Sequence, residues 1–444
     1  MAYGQAGTAQ QVKGRAWNIM TISASVGNLL EFYNFTAYMF FSPMIAQAFF
    51  PAANHITGLL LALSTFALGF VTRPIGAILM GYYETRFGRR DVLFFTFSLM
   101  GLGTAVLAFT PSYRSIGLLA PVLVMVARLL QGFSEGGEMG PATTLLLDLA
   151  PAQLRPHFAS LQFLTQILAG LAAVIVGAGL AGVLPHAQLY AWGWRVPFML
   201  GLTIVPLGIF LRWRMVELPV HPQPAVHQRD PGPVPARSML CIAALTLTLL
   251  SAGTIGNYVR LYGVSYAIVV LHLPPITGML AMASGLVAAL VAILAGLRLG
   301  RLIAPRLLLI LSAATGILLT YPAYILALAY PGLPTQLLLN VIIAGTSMLP
   351  TAFVMLAVLE ALPKQRRSAQ FGLLYALSIS LFGGSTQPAI TWLIRETGNA
   401  LVPCWVLIGT SIITVWAALQ LNIGRVAASV PADERAGPLA KPII

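Results

Sequence analysis

The sequence contains few charged residues, and this scarcity excludes an ordinary soluble protein. Asp, Glu, Lys and Arg make up 8% of the 444 residues, whereas soluble chains carry about 25%. Hydrophobic residues make up 58%. Because a helix that spans a membrane needs about 20 apolar residues, a dozen such helices would use most of the chain. The composition therefore predicts a membrane protein with many spans and no large soluble domain.

Cysteine and histidine are scarce as well, and their positions argue against a metal centre or a disulfide framework. The two cysteines, Cys241 and Cys404, lie in apolar segments, where we expect them to pack as small hydrophobic residues. The 6 histidines fall in predicted loops or at predicted helix ends. The sequence has neither clustered metal ligands nor a phosphate-binding Gly-Lys-Ser/Thr loop. We therefore expect no cofactor, no enzymatic activity and no ATP-driven transport.

The excess of basic residues gives a net charge of +13, which topology explains better than nucleic-acid binding does. Of the 25 Lys and Arg residues, three lie within predicted helices, and Arg114, Arg195 and Arg395 lie in loops on one side. The other 19 fall on the opposite side. The positive-inside rule then predicts that both termini lie in the cytoplasm.

Apolar segments separated by Pro and Gly predict twelve transmembrane helices in two sets of six. The predicted cytoplasmic linker between the sets, residues 219–237, is rich in proline. It separates an N-terminal bundle, residues 1–218, from a C-terminal bundle, residues 238–424, and residues 425–444 are a predicted cytoplasmic tail. The helices are predicted near residues 17–50, 56–83, 92–110, 117–147, 157–184, 194–213, 238–271, 275–297, 307–330, 335–361, 369–394 and 399–423.

A short pattern recurs after the fourth helix of each half and indicates an internal duplication. Residues 148–155 and 360–367 share an acid, a proline, a glutamine and an arginine at the same spacing. Duplicated halves are typical of transporters that expose a central site alternately to the two sides of a membrane.

Six charged side chains fall within predicted helices, where each one is a functional hypothesis because charge in a bilayer is costly. Several polar residues recur at helical spacing and should share a face of their helix. We expect arginines and amides to bind an organic anion and acids to bind a coupling cation. The alternative is that ion pairs, such as Glu31 with Arg128, only hold helices together. The polar sets are Asn28, Glu31, Asn34 and Tyr38; Arg73; Arg128, Gln131, Glu135 and Glu138; Gln162 and Gln166; and Asn257 and Arg260.

Arg260 is the strongest indication of an anionic ligand. The C-terminal half contains no membrane-embedded acid that could neutralise it. A guanidinium group without a counter-charge in a bilayer is best explained by binding of a carboxylate.

The segment from Gly81 to Arg90 has the Gly and Arg spacing of a tight cytoplasmic turn between two helices. Such a turn is a gate element or a plain positively charged loop, and the spacing alone favours neither. The candidate gate residues are Gly81, Arg86, Gly88, Arg89 and Arg90.

This turn resembles the motif between the second and third helices of major facilitator transporters. Residues 27–35, 49–51, 73–77 and 128–138 are similar to the metabolite:proton symporters of that superfamily, and residues 111–121 and 382–388 to their citrate and tricarballylate branch. The resemblance implies an all-α membrane protein with the major facilitator fold, twelve transmembrane helices in two pseudo-symmetric six-helix bundles. It also implies that Arg73 and Arg128 face the central cavity.

The chain departs from the family pattern at positions that bear on coupling. Asn34 stands where the family has an aspartate, and Glu135 stands where a small residue is usual. We hypothesise that the coupling carboxylate has moved from the first helix to the fourth. Thr85 replaces a usual aspartate in the turn, and Arg260 replaces an uncharged residue.

The sequence therefore predicts a secondary active transporter that takes up citrate or a related di- or tricarboxylate by proton symport, as a monomer in the lipid bilayer. Sodium coupling stays open, since carboxylates and carbonyls suit it equally well. The alternatives are a proline/betaine-type zwitterion or monocarboxylate symporter and a cation-independent exchanger. Predicted to bind substrate are Arg73, Arg128, Arg260, Asn28, Gln131, Gln162, Gln166 and Asn257, and predicted to couple the cation are Glu31, Glu135, Glu138 and Asn34.

Overall fold

The computed structural model describes residues 2–52, 54–149, 155–213, 236–300, 302–362 and 367–420. Within these ranges the chain is almost entirely helical and has no β-strand. The predicted tail and residues 214–235, which contain most of the predicted linker, lie outside them. The helix that follows begins at Ala236, so its start overlaps the last two residues predicted as linker.

Twelve long helices are present in the described residues, and the predicted all-α fold is confirmed for them. The predicted and observed ends differ by a few residues, except that the first helix already begins at Ala2. The helices are α1 (Ala2–Phe49), α2 (His55–Phe87), α3 (Arg89–Phe109), α4 (Leu119–Leu149), α5 (Arg155–Val183), α6 (Val196–Trp213), α7 (Ala236–Val269), α8 (Pro275–Leu299), α9 (Pro305–Ala329), α10 (Leu333–Met348 and Thr351–Ala361), α11 (Arg367–Ser378, a π-helical turn Ile379–Gly383, and Gly384–Thr397) and α12 (Val402–Gln420). Short helices Tyr113–Ile116, His186–Ala191 and Gly193–Arg195 lie in the connections.

Nine of these helices, within the described residues, are long and apolar enough to cross a membrane. The other three are α1, α4 and α11. α1 contains Glu31, α4 contains Arg128, Glu135 and Glu138, and α11 is interrupted by its π-helical turn. These charged side chains of α1 and α4 are buried in the interior of the molecule.

Two helix pairs pack closely through glycine, one pair in each half of the chain. A Cβ atom on Gly132 of α4 would collide with the carbonyl oxygen of Gly69 on α2, and one on Gly136 would collide with that of Arg73. In the second half, a Cβ on Gly296 of α8 would collide with the carbonyl oxygen of Leu349 in α10. The second and fourth helices of each half therefore meet in the same way, as a duplicated fold requires.

The two halves contact each other at the end of the molecule where α1 and α7 end. There the hydroxyl groups of Ser42 on α1 and Ser265 on α7 share a hydrogen bond of 2.9 Å. Gly177 on α5 lies against α8, because a Cβ there would lie 3.0 Å from the sulfur of Met279. We call this the contact end of the molecule.

Candidate functional site

A cavity of about 250 Å³ lies between the two halves. Helices α1, α2, α4 and α5 line it from one half, and α7 to α12 line it from the other. It extends away from the contact end, towards the end where α7 and α9 begin and α10 and α12 finish. Its walls are largely apolar, so the few charged groups that reach it dominate its chemistry.

Arg73 and Glu135 form a buried ion pair on one wall of the cavity. Arg73 of α2 bonds through Nη2 to Oε2 of Glu135 on α4. Both side chains are nearly inaccessible to solvent and both line the cavity. The close approach of α2 and α4 at Gly136 brings them together. Nε of Arg73 has no hydrogen-bond partner in the described part of the chain, so this guanidinium retains capacity for a ligand.

Arg260 lines the opposite wall, on α7. Its Nη2 donates to Oδ1 of Asn257 at 2.7 Å. Nε and Nη1 are buried and have no hydrogen-bond partner among the described residues. A buried charged group with unmet donors carries a large desolvation cost. These two donor nitrogens and the fixed positive charge suit the oxygen atoms of a carboxylate.

Glu31 of α1 also lines the cavity and is 5% exposed. Among the described residues, the charged groups lining the cavity are Glu31, Arg73, Glu135 and Arg260. Two acids and two arginines balance when all are ionised. Protonation of either acid therefore leaves the cavity with a net positive charge.

Five aromatic rings form a layer that bounds the cavity on the side of the contact end. In this aromatic layer, made of Phe35, Tyr38, Phe66, Phe70 and Tyr258, the ring of Phe35 meets those of Phe66, Phe70 and Tyr258 edge-on at 4.6, 5.9 and 5.6 Å. The layer joins α1 and α2 of the first half to α7 of the second. Such edge-to-face contacts stabilise a packed cluster beyond the area that it buries.

Arg73 and Arg128, two of the three arginines predicted to bind substrate, lie against different parts of this layer. Arg73 lies over Phe70 at 4.1 Å and faces the cavity. Arg128 lies over Tyr38 at 3.7 Å and over Phe66 at 5.3 Å, and it is not among the residues that line the cavity. Its Nε and Nη2 lack hydrogen-bond partners in the described ranges. Of these two arginines, only Arg73 is therefore within reach of a molecule in the cavity.

The amides predicted to bind substrate are divided in the same way. Gln166 and Asn257 line the cavity, and Nε2 of Gln166 is without a hydrogen-bond partner among the residues described. Asn28 instead donates to Oγ1 of Thr165 on α5 at 2.5 Å, and Gln131 donates to Oγ1 of Thr104 on α3 at 3.0 Å. The side chain of Gln162 lies outside what the structure describes.

Two residues assigned to cation coupling lie away from the cavity. Asn34 is 1% exposed, and its amide atoms have no hydrogen-bond partner in the described part of the chain. It packs against Gly201 of α6, where a Cβ would lie 2.5 Å from its Oδ1. Glu138 is buried on α4 but does not line the cavity. Glu31 and Glu135 are thus the acids that share the space with Arg73 and Arg260.

The proposed gate turn is tight. α2 ends at Phe87, α3 begins at Arg89, and Gly88 between them has a φ of 92°. This left-handed backbone conformation favours glycine. The side chain of Arg86 is exposed and lies 5.7 Å from the ring of Phe87, whereas Arg90 is half-buried. Gly81 is exposed with open space around it, and the side chain of Arg89 lies outside the described set.

A group of hydroxyl side chains lines the cavity on α9, α10 and α12, although no pattern in the sequence predicts it. Ser312, Thr346 and Ser411 belong to this group. Serine and threonine carry no charge, and in a helix they bond to their own backbone. They therefore give no signal in an apolar sequence. The described residues contain no cluster of three metal-binding side chains.

Comparison with known proteins gives consistent matches along the chain. The sequence profile of the Major Facilitator Superfamily matches residues 24–388. A citrate-proton symporter of Salmonella typhi is 31% identical over 417 residues, which are 92% of this chain and 95% of that protein. A putative proline/betaine transporter of Staphylococcus haemolyticus is 29% identical over 433 residues, which are 90% of this chain and 87% of that protein. The crystal structure of a D-xylose-proton symporter superimposes with a TM-score of 0.71 at 18% identity, over 91% of this chain and 97% of that one.

Proposed function

We propose a function from the premise that this chain belongs to the major facilitator superfamily, whose profile it matches over most of its length. We propose that it is a secondary active transporter, not an enzyme, and that it takes up citrate or a related di- or tricarboxylate with protons. The molecule works by alternating access, in which the cavity opens first to one side of the membrane and then to the other.

Arg260 is the observation that carries the proposal. It places a positive charge, with two nitrogen atoms that have no hydrogen-bond partner among the described residues, in a cavity that also contains Arg73. A substrate with two or more carboxylates can bridge these two arginines on opposite walls. The similarity to a citrate-proton symporter supports the same substrate class.

The pairing of Arg73 with Glu135 supplies a route for proton coupling. While Glu135 is ionised it holds Arg73. Protonation of Glu135 weakens this pair and releases the guanidinium for a substrate carboxylate. By linkage, a bound carboxylate raises the proton affinity of the acid to the same degree. Proton and anion therefore bind together, which is the requirement for symport.

We propose that both termini lie in the cytoplasm of a bacterial cell, with the protein in the inner membrane as a monomer, and the distribution of basic residues among the loops supports this orientation. With that orientation the contact end faces outwards, and the cavity extends from it towards the cytoplasmic side. The tight turn at Gly88 lies on the cytoplasmic side, where we assign it to the gate together with Arg86 and Arg90.

A zwitterion carrier is the second candidate, because a putative proline/betaine transporter matches the chain over 90% of its length. A cation-independent exchanger is the third, because Asn34 replaces the usual aspartate. Both would use Arg73 for a single carboxylate, but neither accounts for the second guanidinium at Arg260.

Uptake of labelled citrate into proteoliposomes, with and without an inward proton gradient, tests the proposal. We expect stimulation by the gradient and no competition from betaine. Arg260→Gln should reduce uptake by about 10-fold or more, since hydrogen bonds to charged groups contribute roughly 1.5–3 kcal/mol. Arg395→Gln, at an exposed site, serves as the control. Competition by betaine favours the zwitterion carrier, and uptake that ignores the gradient favours the exchanger.

A further inference from the structure

Three helices of the C-terminal half enclose a recess of the cavity around Gly316. Gly316 lies on α9, and a Cβ built there would be 3.4 Å from Oγ1 of Thr346 on α10 and 3.8 Å from Oγ of Ser411 on α12. Ser312, one turn before Gly316, donates to the carbonyl oxygen of Thr346. We call Ser312, Gly316, Thr346 and Ser411 the hydroxyl recess, and all four line the cavity.

The hydroxyl protons in this recess already form hydrogen bonds to backbone carbonyl oxygens. Oγ1 of Thr346 donates to the carbonyl oxygen of Ile342 at 2.8 Å, and Oγ of Ser411 donates to that of Leu407 at 2.9 Å. A carbonyl oxygen accepts only, so the hydroxyl group must be the donor in each bond. The lone pairs that remain can only accept. The recess therefore presents acceptors and no donors to the cavity.

The two arginines of the cavity supply the opposite chemistry, namely hydrogen-bond donors. Arg73 and Arg260 offer N–H donors, which suit carboxylates. A carboxylate would have no hydrogen-bond donor at Thr346 or Ser411, because both hydroxyl groups donate to the backbone. The recess suits instead a neutral group that donates a hydrogen bond, namely an alcohol on the substrate.

We propose that the hydroxyl recess binds the alcohol group of a hydroxycarboxylate, so that the transporter distinguishes citrate from tricarballylate, which has the same three carboxylates and lacks the hydroxyl. This assignment rests on the proposed function and adds the feature that selects among organic anions. The alcohol donates to Thr346 and Ser411, while the arginines hold the carboxylates. A site built to pair with an alcohol discriminates against the analogue without it, because its polar groups are left unpaired.

The test compares KM for citrate and for tricarballylate in proteoliposomes. We expect wild type to favour citrate by roughly 10-fold, and Thr346→Val with Ser411→Ala to reduce the preference to about twofold or less, as neutral hydrogen bonds allow. The KM for tricarballylate should stay within about twofold, which separates loss of recognition from general damage. Gly316→Ala should also reduce the preference for citrate, because its Cβ would make ordinary van der Waals contacts and fill the recess.

Thr315→Val is the matched control. Thr315 neighbours Gly316 and makes the same type of bond, to the carbonyl oxygen of Leu311 at 2.8 Å, but its side chain is exposed outside the cavity. It should leave the citrate preference intact.

Equal KM values for the two anions in wild type would overturn this assignment and leave the proposed transport of tricarboxylates standing. The assignment would also be overturned if the recess variants abolished stimulation of uptake by sodium and kept the preference for citrate. In that case the hydroxyl oxygens would coordinate a cation. Uptake of neither anion would overturn the proposed function and this assignment together.

Discussion

Individual side chains divide the polar interior into a part that reaches the cavity and a part that does not. On α1, each step of three residues falls about 60° short of a full helical turn. Glu31 therefore faces the cavity, whereas Asn28 faces α5 and Asn34 faces α6. On α4, Arg128 and Glu135 share a face but differ in height by about 10 Å. The spacing predicts one shared face for the polar residues of each helix, whereas packing determines which of them reach the cavity.

At the residue scale, Glu135→Gln tests the shifted carboxylate. The amide keeps the shape of the side chain but cannot exchange a proton or balance the charge of Arg73. We expect gradient-driven uptake to fall at least about 10-fold, since hydrogen bonds to charged groups contribute roughly 1.5–3 kcal/mol. Exchange of substrate in the absence of a gradient should continue.

Glu396→Gln, at an exposed acid next to Arg395, controls for the loss of one negative charge. Gradient-driven uptake that survives in Glu135→Gln would eliminate Glu135 as the coupling group and return attention to Glu31.

At the scale of helices, the contact between α2 and α4 holds Arg73 and Glu135 in place. The backbones approach so closely that Gly136 has no room for a methyl group next to the carbonyl oxygen of Arg73. Since this neighbour is backbone, it cannot move aside as a side chain can. The same contact that stabilises the first half therefore also assembles the ion pair.

Gly136→Ala should consequently destabilise the protein by roughly 1–3 kcal/mol or more, as overpacking does. The melting temperature of the purified protein measures this effect. Gly179→Ala on α5 is the control, because a Cβ there meets open space and alanine favours a helix by roughly 0.5–1 kcal/mol. Equal melting temperatures for the two variants would show that α2 and α4 are not packed this closely.

At the scale of the whole molecule, the contact end must separate if the cavity is to open on the other side. Ser42 and Ser265 join the two halves there. The aromatic layer lies between this contact and the cavity, and Arg128 packs against it. Opening of the contact end would therefore expose Arg128 on that side of the molecule.

A disulfide between α1 and α7 tests this movement. In a background with Cys241→Ser and Cys404→Ala, the pair Ser42→Cys and Ser265→Cys should form a disulfide on oxidation, because the hydroxyl oxygens are 2.9 Å apart. We expect uptake to stop and to recover on reduction. Each single cysteine variant is the control and should respond little to oxidant. A cross-linked protein that transports at the full rate would refute alternating access through this end.

The sequence by itself determined the class of the protein, the twelve long helices of its described residues and the charged residues that lie within them. These properties depend on hydropathy and on the cost of charge in a bilayer, both of which are local. Tertiary structure alone decided which of those residues meet. Arg73 forms an ion pair with Glu135, and Arg128 packs against the aromatic layer away from the cavity. Neutral hydroxyl groups of three helices lie around Gly316. Such outcomes depend on how far helices rotate and how closely they approach, which spacing along one helix does not specify.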